Sequence, residues 1–127
     1  MLNFGFWIII PAVYGMIEER TFEFALKTIK LTKKLRKNRE YVFADQLLRS
    51  ATSVGANVAE AGAGQSRKDF ISKMSIASKE ARETRYWLRL LDRSGLMKED
   101  IQEYLDEIEQ LVKILTKIVK TSQQNTT

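Results

Sequence analysis

The chain has 127 residues with a formal net charge of +5, one proline, six glycines, and neither cysteine nor histidine. That length suits one domain with one core, and so few turn residues favour helices over many short strands. The missing residue types exclude disulfides, Cys/His zinc sites and Ser-His or Cys-His nucleophile systems, while carboxylate-only metal sites and Asp/Glu acid–base pairs stay open.

The first segment, "MLNFGFWIIIPAVYGM" (residues 1–16), is apolar and uncharged. It is shorter than the roughly 20 residues a membrane-spanning helix needs, and it has no basic region of the kind that opens a signal peptide. Three readings stand: a weak membrane anchor, a strand or coil packed on the domain, or an upstream start that is not native. The third is preferred, because Met16 opens "MIEERTFEF", where acidic residues precede an amphipathic run as at a helix N-terminus.

Residues 17–120 read as one bundle of four helices. In the first (18–37), Phe22, Phe24, Ala25, Ile29, Leu31 and Leu35 spread over a wide apolar face, while Lys27, Lys30, Lys33, Lys34 and Lys37 gather opposite. In the second (41–63), Phe43, Leu47, Ala51, Val54, Val58 and Ala61 form an apolar face. Ser50, Ser53, Asn57 and Glu60 make a polar stripe along its edge. Gly62 and Gly64 are stop signals, and Ser66 with Asp69 approximates a capping box. In the third (67–93), Phe70, Met74, Ala77, Ala81, Leu88 and Leu91 form the seam, Arg82, Arg85, Arg89 and Arg93 share another face, and Gly95 ends the run. The fourth (98–120) has the most regular seam, from Ile101 to Val119, with acids early and lysines late as the helix dipole prefers. Residues 121–127 form a polar tail. Short connections predict antiparallel neighbours, hence an all-α, up-down four-helix bundle.

The charge is unevenly placed. Residues 17–37 carry seven basic against three acidic side chains and residues 67–97 eight against four, whereas residues 98–127 carry four against six. Two basic helices favour polyanions, nucleic acid first.

The segments "DQLLRSATSVGANVAEA" and "SRKDFISKMSIASKEARETRYWLRLL", followed by "SG", resemble the four-helix-bundle family of the 23S rRNA intervening sequence protein. The resemblance covers about residues 17–120 and leaves the first fifteen outside it. It implies an antiparallel four-helix bundle assembled as a ring-shaped homopentamer, with no enzymatic activity. A related branch, the accessory variability determinant of diversity-generating retroelements, binds nucleic acid and a reverse transcriptase.

The functional expectation is therefore a cytoplasmic, non-enzymatic, self-assembling protein that binds RNA or DNA without reading bases. The candidate contacts are Lys27, Lys30, Lys33, Lys34, Lys37, Arg82, Arg85, Arg89 and Arg93. The alternative is a scaffold or accessory factor, for a reverse transcriptase or a ribosome-associated partner, that binds no nucleic acid itself. Ser50, Ser53, Asn57 and Glu60 are expected to be structural, with Lys79, Arg82 or Arg85 answering Glu60 across the helix interface. Tyr86 and Trp87 lie off the seam and are candidates for a subunit interface, the competing reading being packing on the second helix or on the N-terminal extension. No catalytic residue, cofactor or metal site is expected, and no membrane partner.

Overall fold

Leu47, Ala51, Val54, Val58 and Ala61 recur at steps of three and four, and all five are buried. The same spacing buries Met74, Ala77, Ala81, Leu88 and Leu91, and again Ile108, Leu111, Leu115 and Ile118. The computed structural model describes residues 4–63 and 66–124, the first seven of them by backbone alone. Its helices are α1 (Phe4–Lys37), α2 (Tyr41–Gly62), α3 (Arg67–Ser94) and α4 (Gln102–Gln124).

Cross-helix pairs fix the direction of each helix. Along α1, Tyr14 meets Val58 and Arg36 meets Asp45, so numbers rise on α1 as they fall on α2. Phe43 faces Trp87 and Arg49 faces Glu80 between α2 and α3. Arg67 reaches Ser122 and Arg85 reaches Glu109 between α3 and α4, while Arg20 pairs with Glu107 and Lys27 with Glu103 between α1 and α4. All four neighbouring pairs run antiparallel. Among the described residues the backbone neighbours are α1 with α2, α2 with α3, α3 with α4 and α4 with α1, so the helices form a closed ring around one core, and Tyr14 of α1 reaches across it to Phe70 of α3.

Two helices differ from expectation in extent. α1 begins at Phe4, passes through Pro11 and continues unbroken to Lys37. The stretch from Phe4 to Met16 is thus helix rather than strand or coil, and Val13 and Tyr14 pack on the core; Met1–Asn3 lie outside the described residues. α4 starts at Gln102 instead of 98 because Asp100 accepts the Gln102 N–H at 2.9 Å, so the preceding residues serve as its cap. It then runs on to Gln124 with Ser122 buried, which makes most of the expected polar tail helical.

The wide apolar face of α1 is also divided. Phe24, Leu31 and Leu35 are buried, but Phe22 is 59% exposed and Ile29 faces outward with it. One helix can turn only part of its circumference to one core.

The breaks between helices have local causes. Ser66 accepts the Asp69 N–H at 3.1 Å and caps α3, and Gly95 ends it in the left-handed region at φ 72°. Arg39 adopts a left-handed φ of 61° after α1, and the Glu40 N–H returns to the Leu35 carbonyl at 2.8 Å, closing the helix as glycine commonly does.

Gly62 serves a different purpose from a stop signal. α2 ends through Ala63 in right-handed backbone, and Gly64 lies outside the described residues. A Cβ on Gly62 would stand 2.1 Å from the Tyr14 hydroxyl oxygen. That hydroxyl donates to the Val58 carbonyl at 2.7 Å, and the ring lies 6.2 Å from Phe70. Gly62→Ala should therefore destabilise the fold by about 1 kcal/mol, the worth of the hydrogen bond it displaces. In a Tyr14→Ala background the same change should stabilise by about 0.5–1 kcal/mol, the helical advantage of alanine over glycine. Urea unfolding of the four variants reads this reversal of sign.

Candidate nucleic-acid interface

Arg82, Arg85, Arg89 and Arg93 are spaced three, four and four residues apart on an unbroken helix, which sets them along one flank of α3. They line an open groove of about 370 Å³ together with Tyr86 and Leu90. Two of the four are held by neighbours: Arg82 donates to the Ser78 hydroxyl at 2.8 Å, and Arg85 to Glu109 at 3.0 Å. Arg89 and Arg93 are exposed and form no ion pair among the described residues. On the α4 side the groove continues into a second depression of about 290 Å³, which Arg85, Arg89 and Arg93 line together with Asp92, Asp106 and Glu109.

The lysine face of α1 is a separate patch. Lys30, Lys33, Lys34 and Lys37 are exposed, whereas Lys27 is engaged by Glu103, whose hydrogen bond and charge raise the ammonium above its ordinary pKa. Nearby, Arg20 makes a two-pronged contact with Glu107, at 3.1 and 2.6 Å, and adds Gln110 at 2.9 Å. That hydrogen bonding raises the Arg20 pKa as well. Tyr104 donates to the Lys27 carbonyl at 2.8 Å, and its phenol is pushed up first by burial and then by Glu103. The acids early in α4 thus stand between the two basic faces and engage residues of both.

The polar stripe of α2 divides by depth. Ser50 is fully buried, with its hydroxyl 2.9 Å from that of Thr84, which also donates to the Glu80 carbonyl at 2.8 Å. Asn57 turns back to Ser53, donating to its carbonyl at 2.9 Å and its hydroxyl at 3.1 Å. Glu60 is exposed near the end of α2, and the arginines expected beside it are engaged elsewhere, Arg82 with Ser78 and Arg85 with Glu109. The reason is register: antiparallel pairing sets Ser50 opposite Thr84, so residue 60 lies nearer the start of α3, about two turns from Arg82. The charged bridge between α2 and α3 is Arg49 with Glu80 and Glu83.

The buried hydroxyl pair has a measurable signature. Thr84→Val should cost about 1–3 kcal/mol by stranding Ser50, and adding Ser50→Ala should recover much of that loss, since removing both partners leaves nothing unsatisfied. A double-mutant cycle in denaturant measures the recovery.

Trp87 and Tyr86 differ in surroundings. Trp87 is half-buried, meets Phe43 of α2 edge-on at 5.9 Å, and donates its ring N–H to Glu83 at 3.2 Å. Tyr86 is 59% exposed and rests at 77° on Trp87, with ring centroids 5.4 Å apart.

Arg20, Arg49, Glu107 and Glu109 hold helices together, Glu107 and Glu109 as cross-helix partners although the sequence pattern sets them on an outward acidic face of α4. Their charges are visible in the sequence; their partners follow from the ring order of the helices.

Fold and surface together define a class: small, basic, antiparallel four-helix bundles that display cations on two helix faces. The chain belongs to the 23S rRNA-intervening sequence protein family, whose sequence profile matches residues 16–117. A solved structure, a protein of unknown function from the S23 ribosomal protein family of Bacteroides thetaiotaomicron VPI-5482, is 39% identical with a TM-score of 0.79. The likeness covers 85% of this chain and 98% of that one. Among curated proteins there is no match. Among the described residues no helix is long and apolar enough to cross a membrane.

Proposed function

We propose that this protein is a non-enzymatic, self-associating cytoplasmic bundle that binds RNA or DNA through phosphate contacts. The observation that carries the reading is the arginine row of α3, where Arg89 and Arg93 are exposed beside an open groove and form no ion pair among the described residues. Guanidinium groups suit phosphate oxygens because their planar forks donate in pairs. Successive arginines four residues apart advance about 6 Å along the helix, so a backbone can run beside them. Lys30, Lys33, Lys34 and Lys37 offer a second contact on α1. Phosphate contacts of this kind position a strand and carry no base preference.

Self-association is assigned to the outward stripe of α1. Phe22, Leu26 and Ile29 are exposed at i, i+4 and i+7 and form an apolar strip that the protomer leaves uncovered. A homopentamer, as the family resemblance implies, would gather a net charge of about +25 in one particle and strengthen polyanion attraction accordingly.

The test is binding of a labelled oligonucleotide across a salt series. The reading expects affinity that falls steeply with salt, as counterion release demands. Absence of binding at low salt overturns it. The same Phe22 stripe would then favour the scaffold reading, in which a protein partner covers α1.

A further inference from the structure

We infer that the α3 groove takes single-stranded nucleic acid, with one unpaired base stacked on Tyr86. The inference rests on the phosphate-contact reading above and specifies which polyanion the groove prefers.

Tyr86 stands among the arginines in sequence and in space. Arg82 is one turn before it, Arg89 one turn after, and Leu90 lies beside it, all lining one groove. An aromatic ring that is 59% exposed gains little from its own fold. Yet the ring is braced. It rests on Trp87, which is fixed by Phe43 and by Glu83; Glu83 in turn is paired with Arg49 of α2. A braced, exposed ring is a preformed platform, so little rotamer freedom remains to be lost on contact.

Charge places a strand over that platform. A base seated on Tyr86 sends its two flanking phosphates toward Arg82 and Arg89, about 6 Å and about 4.5 Å away along the axis. Asp106 and Glu109 on the α4 side repel phosphate and confine the strand to the outer side of α3. In a duplex the bases are already stacked on one another and closed to an aromatic side chain, so Tyr86 rewards only unpaired strands. Stacking of this kind tolerates any base.

The experiment is fluorescence anisotropy with labelled oligo(dT), oligo(U) and a DNA duplex of the same length at one salt concentration, using the full chain. Wild type should bind the single strands more tightly than the duplex. Tyr86→Ala should lose about 5- to 150-fold on the single strands and leave the duplex unchanged, whereas Tyr86→Phe should retain wild-type affinity. Arg89→Gln with Arg93→Gln should weaken all three. If the arginine variant weakens binding and Tyr86→Ala does not, the stacking inference fails alone. If the arginine variant has no effect, the phosphate reading fails and the inference with it. If Tyr86→Ala alters sedimentation and leaves affinity intact, the ring belongs to a subunit interface and the inference is overturned.

Discussion

Replacing Arg89 and Arg93 together by glutamate should weaken oligonucleotide binding by at least about 25-fold at 0.1 M salt. The figure follows from counterion release. Each neutralised phosphate contributes about 0.7 to the salt slope on a single strand and about 0.9 on a duplex, so two lost contacts remove about 1.4–1.8 log units at that salt. The slope of log affinity against log salt should flatten by the same amount. A variant that weakens binding with an unchanged slope would show that the arginines act through something other than phosphate. Glutamates here would stand beside Asp92, Asp106 and Glu109, and one of them in the last turn of α3, so Arg89→Gln with Arg93→Gln, which adds no like charge, is the control that separates lost phosphate contact from lost stability. Charge reversal at Lys30, Lys34 and Lys37 is the parallel experiment on α1. Lys27 is the weaker choice there, since Glu103 already occupies it.

The largest effect on stability should come from Phe24→Ala, with a loss of about 3–5 kcal/mol in urea or thermal unfolding. Phe24 is only 2% exposed, and its ring meets Tyr104 edge-on at 6.3 Å, where α1 closes against α4. Much of the rest of that closure is polar: Arg20 with Glu107 and Gln110, and Lys27 with Glu103. Ion pairs this open to solvent are largely screened, so they cannot replace a buried ring. Phe22→Ala is the control. Two residues away, it points outward and should change monomer stability by less than about 0.5 kcal/mol.

That pair shows where sequence reading ended. Periodicity places both phenylalanines on an apolar face, and α1 has more apolar circumference than one core can cover. Which part turns inward is decided by α2 and α4, whose positions the helix's own sequence does not state. Helices governed by local chemistry were legible: the serine cap at 66, the glycine stop at 95, and the seams of α2 and α3. Charge pattern alone sets the start of α4 four residues early, because Asp100 matches a charged helix face although its carboxylate caps the backbone.

At the candidate site, the arginine row could be read from spacing alone. Its bracing could not. Arg85 and Glu109 lie on different helices, as do Trp87 and Phe43, and only antiparallel register brings them together. The expectation that Glu60 meets the arginines failed for the same reason in reverse. Residues that seemed complementary by charge lie at different heights along the ring.

The Tyr14 contact has a consequence for where this folded unit can be cut. The family profile opens at residue 16, but the packing unit opens earlier. A chain shortened to begin at Met16 would keep every residue of the family match and still lose the ring that fills the notch at Gly62, the partner of the Val58 carbonyl and the neighbour of Phe70. The boundary of resemblance and the boundary of mechanical integrity therefore fall at different places along the same helix.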